Sequence, residues 1–417
     1  MRLVGISGLR NSLRRFPGRR PPSSAASSRT PPPPPGAPRK GREDRRAAPE
    51  GREDRSSEPP LHVCHLVHRL ELSGICGRVV TLCNGLDPKQ LMASCLSLGP
   101  LDPLVLERME PRVPVWGLAW GGEQEQAGRV ARRAAEVLSR FQVDILHTHG
   151  ARAFLVGATA GWLARVPLTV HTEYGPSSAQ HPRVIAQLAM RLAGSGTCAF
   201  LAASEEVRQG MGRDYGVEAD RVRLIPTGLD TEQFRAPHDR EAQRRTFGFE
   251  QHDLVVGTLA SCCSLRPPDH NRSVPVQEVV QRLRRDGLPA RGIVVGHTPV
   301  QQEHMTYLAP RRDVPWVLGA MDVYLAPAAG LSPSLAVLEA MACSVPVVGP
   351  VEDERAGLLL PSDGAAAMAA AVALLARDPE RRQRMGDLAR QRVEREHQAA
   401  QMVAAQADIY QEMVASF

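Results

Sequence analysis

The chain has no run of about 18 uncharged apolar residues, so its sequence offers no helix able to span a bilayer. Its N-terminus has no apolar h-region of the kind a secretory signal needs. Aromatic residues make up only 4% of the chain, so Ala, Val, Leu and Gly must build the core, a composition suited to helices packed closely on sheets. Lysine is nearly absent, with Lys40 and Lys89 as its two occurrences, and arginine carries almost all the positive charge. The eight cysteines (Cys64, Cys76, Cys83, Cys95, Cys198, Cys262, Cys263 and Cys343) form no CxxC pair and no Cys/His spacing suited to zinc. Several lie in apolar runs and read as buried free thiols of a reducing compartment. What remains is ordinary globular material: 417 residues, 43% hydrophobic and 23% charged, enough for two or three domains.

The formal net charge of +6 is unevenly placed. Residues 1–60 hold 14 Lys+Arg against 6 Asp+Glu, which leaves the rest with 37 basic and 39 acidic residues. The first 60 residues are rich in Pro, Arg and Ser and contain a near-repeat, GREDRRAAPE then GREDRSSEPP. Such a segment cannot bury enough apolar surface to offset its ordering entropy and is expected to be disordered. It reads as a passive extension, with an electrostatic tether to anionic lipid or nucleic acid as the other reading. The near-neutral body gives no reason to expect specific nucleic-acid binding.

From Leu61 the pattern alternates. LHVCHLVH reads as a buried strand, SGICG as a glycine turn, and Arg78–Leu86 as a short helix. GRVARRAAEVLSRF (128–141) has helical periodicity, and VDILHTH, ARAFLVGATAGWLA and VPLTVHT form a strand–helix–strand unit with short links. Ser204 caps a helix with Glu205 and Glu206 in its first turn. Residues 237–252 are charged and weakly patterned and are expected to be a linker. The alternation restarts at DLVVGTLA and continues through GIVVG, MDVYLAP, PSLAVLEAMAC and VPVVG before a helical C-terminus. The expected fold class is α/β: two doubly wound Rossmann-like halves facing a cleft, over 61–236 and 253–395. A C-terminal helix at 396–417 is expected to return to the first half. The cleft between the carboxyl ends of two such sheets is the default ligand site.

Several residues stand where chemistry is expected. The amides of Ser334 and Leu335 open a helix, and helix N-termini attract phosphate. Gly74, lacking a Cβ, would let the opposing half approach the same ligand. His147 and His149 alternate on one strand and could hold a metal, but no third ligand is near them in sequence, so no metal is expected.

Four segments together resemble the GT-B glycosyltransferases, specifically the retaining family 4. They are ELSGICGRVVTLCNGLDP (71–88), VDILHTHGARAFLVGATAGWLARVPLTVHTEYG (143–175), LAASEEVRQGMGRDYGVEADRVRLIPTGLDTEQF (201–234) and MDVYLAPAAGLSPSLAVLEAMACSVPVVG (321–349). The resemblance covers about residues 61–417. It implies a nucleotide-sugar donor as substrate with no separate cofactor, and a polysaccharide or glycolipid acceptor. It also implies a cytoplasmic location, with peripheral contact at the inner membrane face as an option. Glu339 would accept hydrogen bonds from the donor ribose, and His149 would face the reacting sugar. Departures are local. Leu331 stands where the family has a first glutamate. Ser261 stands at an expected diphosphate arginine, and Arg266 at an expected lysine. VVGHTPVQQEHMTYLAP passes from strand to strand without the family's intervening helix. The resemblance therefore supports a transferase, and the departures a catalytically impaired scaffold that keeps nucleotide binding. A nucleotide-sugar epimerase shares the architecture but would need acid and base carboxylates that the sequence does not place.

Overall fold

The computed structural model describes residues 59–120, 126–175, 198–235, 239–259, 275–296, 302–326, 334–349, 357–360 and 364–416. The expectation for residues 1–58, and the positions Leu331, Ser261 and Arg266, lie outside the described residues.

The first half alternates β1 (Leu61–Val67), α1 (Gly74–Gly85), β2 (Leu91–Ser97), α2 (Pro103–Leu106), β3 (Val115–Gly117), α3 (Ala127–Arg140), β4 (Ile145–His149), α4 (Ala151–Ala164), β5 (Leu168–Glu173), β6 (Cys198–Ala202), α5 (Glu205–Tyr215) and β7 (Val222–Leu224). The second half runs α6 (Arg240–Thr246), β8 (Leu254–Leu259), α7 (Val276–Arg285), β9 (Ala290–Val295), β10 (Met305–Leu308), α8 (Val314–Ala320), β11 (Val323–Leu325), α9 (Leu335–Ala342), β12 (Val347–Gly349), β13 (Gly357–Leu359), α10 (Ala365–Arg377) and α11 (Pro379–Glu396). The chain closes with α12 (Ala399–Ala415).

Both sheets are wholly parallel, ordered β3-β2-β1-β4-β5-β6-β7 and β10-β9-β8-β11-β12-β13. Each is the doubly wound order in which the chain starts centrally and reverses direction beside the first strand. The central strands are buried on both faces, which is why they read as continuous apolar runs.

The structure differs from the sequence reading in three places. The first helix begins at Gly74, inside the expected glycine turn, because the Ser73 hydroxyl accepts the Cys76 N–H and caps it there. The stretch expected as a linker contains α6, whose buried Gln243 and Arg244 pack on the second half. Its charged residues hid this, because Arg244 is buried by pairing rather than by apolarity. The chain instead crosses between halves at 225–231, beside the return strand of chain at 397–402. There Leu229 N–H donates to His397 O (2.7 Å) and Ala399 N–H to Leu229 O (3.0 Å). Beyond this crossing, Met402, Ile409 and Tyr410 of α12 are buried in the first half's core with Val63, Val79 and Leu82. β9 and β10 lie side by side in parallel with only residues 296–304 between them, consistent with the shortened crossover.

The six described cysteines are free thiols, and all but Cys198 are buried.

Candidate active site

Two helix N-termini meet across the halves. α1 starts at Gly74 after the Ser73 cap, and α9 starts at Leu335 after Ser334, whose hydroxyl accepts the Val337 N–H at 3.4 Å. Neither first turn carries a carboxylate. The opening N–H groups of both helices therefore face the crevice side with no negative charge of their own. The close approach depends on glycine: a Cβ at Gly77 would stand 2.7 Å from Leu335 Cδ2, and one at Gly74 3.4 Å from Leu335 Cβ. An ion pair between Glu107 and Arg312 also joins the halves.

Glu339 lies one turn beyond Leu335 on the same face of α9. Its carboxyl makes no hydrogen bond or ion pair with any described residue. Burial pushes it up to about 7, with Arg108 of the first half pulling the other way. The residue as a whole keeps partial exposure. An unpartnered, poorly solvated carboxyl is suited to accept hydrogen bonds from ligand hydroxyls.

At the carboxyl edge of the first sheet the structure assembles a cluster the sequence did not reveal. His65 on β1 is paired in register with His147 on β4, and His149 lies two residues further on the same face. His65 Nδ1 stands 3.0 Å from His149 Nε2, and His149 Nδ1 stands 2.6 Å from the Tyr174 hydroxyl. His147 is held between the Tyr410 hydroxyl (2.5 Å) and the Thr172 hydroxyl (2.8 Å). His65 Nε2 is buried without a partner. A proton there would be an orphaned donor, so the cheaper arrangement protonates His65 Nδ1, which donates to His149 Nε2. His149 then carries its proton on Nδ1 and donates to Tyr174. Both ring nitrogens of His149 are thus engaged, and the residue is 3% exposed. His149, expected to face the reacting sugar, is buried here, with its ring held between His65 and Tyr174.

These three histidines could in principle hold a metal ion, since one nitrogen from each lies within 4.8 Å of the others. Burial holds His147 and His149 well below the ordinary imidazole range, reinforced by the neighbouring imidazoles and the Arg78 guanidinium, and pushes His65 down to about 3. Neutral imidazoles are the right form for ligation, but the set brings no carboxylate and sits beside a buried cation. The arrangement fits a neutral hydrogen-bonded floor better than a site for a dication.

Two facing Rossmann-like sheets with a crevice between their carboxyl ends define the GT-B class of nucleotide-dependent enzymes. A family model for Glycosyltransferase Family 4 matches residues 62–233, and one for Glycosyl transferases group 1 matches 258–378. Together they span most of the folded body, and the chain belongs to the GT-B glycosyltransferases of this family.

Among characterised relatives, the Escherichia coli UDP-Gal:alpha-D-GlcNAc-diphosphoundecaprenol alpha-1,3-galactosyltransferase is 22% identical over 51% of this chain. The chain spans 59% of that enzyme's length. The D-inositol 3-phosphate glycosyltransferase of Saccharomonospora viridis is 28% identical over 66% of this chain and 71% of its own. Anabaena HepE, solved with UDP and glucose, superposes with a TM-score of 0.66 at 17% identity, covering 84% of this chain and 99% of its own. WaaG, a glycosyltransferase of lipopolysaccharide biosynthesis, does so at 0.60 and 13%, covering 83% and 99%. Among the described residues no helix is long and apolar enough to cross a membrane.

Proposed function

We propose that the chain transfers a sugar from a nucleotide-sugar donor to a glycan or lipid-linked glycan acceptor, with retention of anomeric configuration. The observation that carries this reading is the α9 N-terminus closing on Gly74 and Gly77, with the Glu339 carboxyl, unpartnered among the described residues, one turn along. The amides of Ser334 and Leu335 and the α1 N-terminus take the diphosphate, and Glu339 takes the ribose hydroxyls. Stabilising the departing diphosphate by fixed dipoles is the chemical contribution of this arrangement. His149, at the carboxyl end of β4 and held between His65 and Tyr174, stands on the acceptor side of the reacting sugar. Arg266 supplies a cation to the same diphosphate. Relatives acting on diphosphoundecaprenol-linked and phosphorylated acceptors support an acceptor of that general kind, and the reaction would take place on the cytoplasmic side, with peripheral membrane contact.

A second reading has its own support in the sequence: Leu331 and Ser261 remove two donor contacts, so the chain binds nucleotide without turning the donor over. Calorimetry with UDP and UDP-glucose, followed by a sugar-release assay, separates the two. The transferase reading expects release of sugar and a sugar conjugate bound at least as tightly as UDP. The scaffold reading expects nucleotide binding with no release. Absence of any nucleotide binding contradicts both.

A further inference from the structure

Arg78 is an arginine on α1 that is 1% exposed and has no carboxylate partner among the described residues. Its Nη1 donates to Ile225 O (3.1 Å) and to the Thr227 hydroxyl (3.3 Å). Its guanidinium carbon lies 5.4 Å from the centre of the Tyr174 ring. Its Nε and Nη2 have no hydrogen-bond partner. Those two N–H groups form one edge of the guanidinium, the fork that grips an oxyanion through two parallel bonds.

An arginine cannot shed its proton to escape burial, and an uncompensated buried cation costs several kcal/mol. Backbone and hydroxyl oxygens and a ring face offset only part of that cost. The neighbouring imidazoles supply no negative charge, since His147 and His149 are neutral. The nearest buried carboxylate on this edge, Glu173, is committed elsewhere: it accepts from the Tyr215 hydroxyl at 2.5 Å and from the Tyr174 N–H at 2.9 Å. The position is also telling. Tyr174 follows β5, Ile225 follows β7 and His149 ends β4, so the guanidinium of Arg78, with its unpartnered edge, lies at the carboxyl end of the first sheet, where doubly wound folds bind ligands.

We propose that the Nε–Nη2 edge of Arg78 is the seat of a phosphate group on the acceptor side of the crevice. This rests on the reading of the crevice as a sugar-transfer site and deepens it: the acceptor is anionic and is recognised through its phosphate. The donor diphosphate is assigned above to the two helix N-termini, and the phosphate at Arg78 is a second one. An unmatched charge kept for a ligand destabilises the ligand-free protein, whereas a structural strut stabilises it.

The test is thermal melting of the full chain with inorganic phosphate, alongside UDP calorimetry, in wild type, Arg78→Gln and Arg78→Lys. Wild type should gain about 3 °C at saturating phosphate, with chloride at matched ionic strength giving no gain. Arg78→Gln should melt no lower than ligand-free wild type, lose the phosphate response, and bind UDP within about twofold of wild type. Arg78→Lys should keep a weakened response, since it retains the charge and loses the fork. A wild type indifferent to phosphate overturns the proposal. So does an Arg78→Gln variant that keeps the response, one that melts well below wild type, or one that loses UDP affinity instead. A wild type that responds to phosphate through Arg78 but binds no UDP keeps the anion site and removes the transfer reading.

Discussion

The two halves treat buried charge in opposite ways. In the second half, Asp322 is 7% exposed and faces three arginines. Arg240 (2.9 Å), Arg244 (2.5 Å) and Arg382 (3.5 Å) reach its oxygens, and the Val255 N–H adds a bond at 2.8 Å. In the first half, Arg78 is more deeply buried and has no carboxylate partner among the described residues. Asp322 stands just before β11, at the edge of its sheet remote from the crevice, and ties α6 and α11 to the strands. Arg78 stands at the carboxyl edge of its sheet. Among the described residues, charge is thus matched where the fold needs fastening and left unmatched where a ligand is expected; Glu339 also makes no ion pair among them.

The largest expected effect breaks this comparison on the side of the first half. His62, His65, His147 and His149 are all held below the ordinary imidazole range by burial. Unfolded, each takes up a proton as pH drops below about 6.5, while the folded forms stay neutral to much lower pH. Their contribution is therefore complete above pH 6.5 and falls as pH decreases, by about 1.4 kcal/mol per group per pH unit. Melting temperature should drop steeply between pH 6.5 and 5. A flat profile there would mean that these rings are hydrated or charged in the folded protein.

Next comes the fastened side. Asp322→Asn leaves three arginines around a neutral amide and should destabilise by about 3 kcal/mol in urea denaturation, with nucleotide affinity intact. A loss below about 1 kcal/mol would show that the cluster is solvated and does not fasten the half. The smallest effect concerns Glu339, whose carboxyl is raised in the fold. Its protonated form is favoured at low pH, and stability from this group is lost as pH rises from the ordinary carboxylate range through about 7. Glu339→Gln should therefore raise the melting temperature at pH 8 and leave it nearly unchanged at pH 4.5. An equal gain at both values would point to packing rather than charge.

Much of this was legible in one dimension. The alternation of apolar runs and helical periods marked both sheets, and Ser334 and Leu335 marked the start of α9, while the first helix was read four residues late, at Arg78 instead of Gly74. What the sequence concealed depends on register and distance. His65 joins His149 across 84 positions and Tyr410 reaches His147 across 263. No local spacing encodes such pairs; strand order and the returning helix create them. Arg78 looked like an ordinary helix residue because burial of its charge follows from how α1 lies on the sheet. The α6 helix was missed for a related reason: its buried face is held by Arg244 and Gln243, and apolar periodicity is blind to a polar core. The histidine motif that looked most like a reacting group is buried, its ring nitrogens paired with residues far away in the chain.

The central claim is that unpartnered charge at the crevice marks ligand contacts, and UDP calorimetry at pH 8 on wild type and Glu339→Gln tests it most directly. At that pH the wild-type carboxyl is ionised and able to accept from ribose hydroxyls. The account predicts that the substitution weakens UDP by about 1–3 kcal/mol, roughly five- to 150-fold, in a protein that melts no lower than wild type. Equal affinities, in two proteins that both bind UDP and both fold, would contradict it.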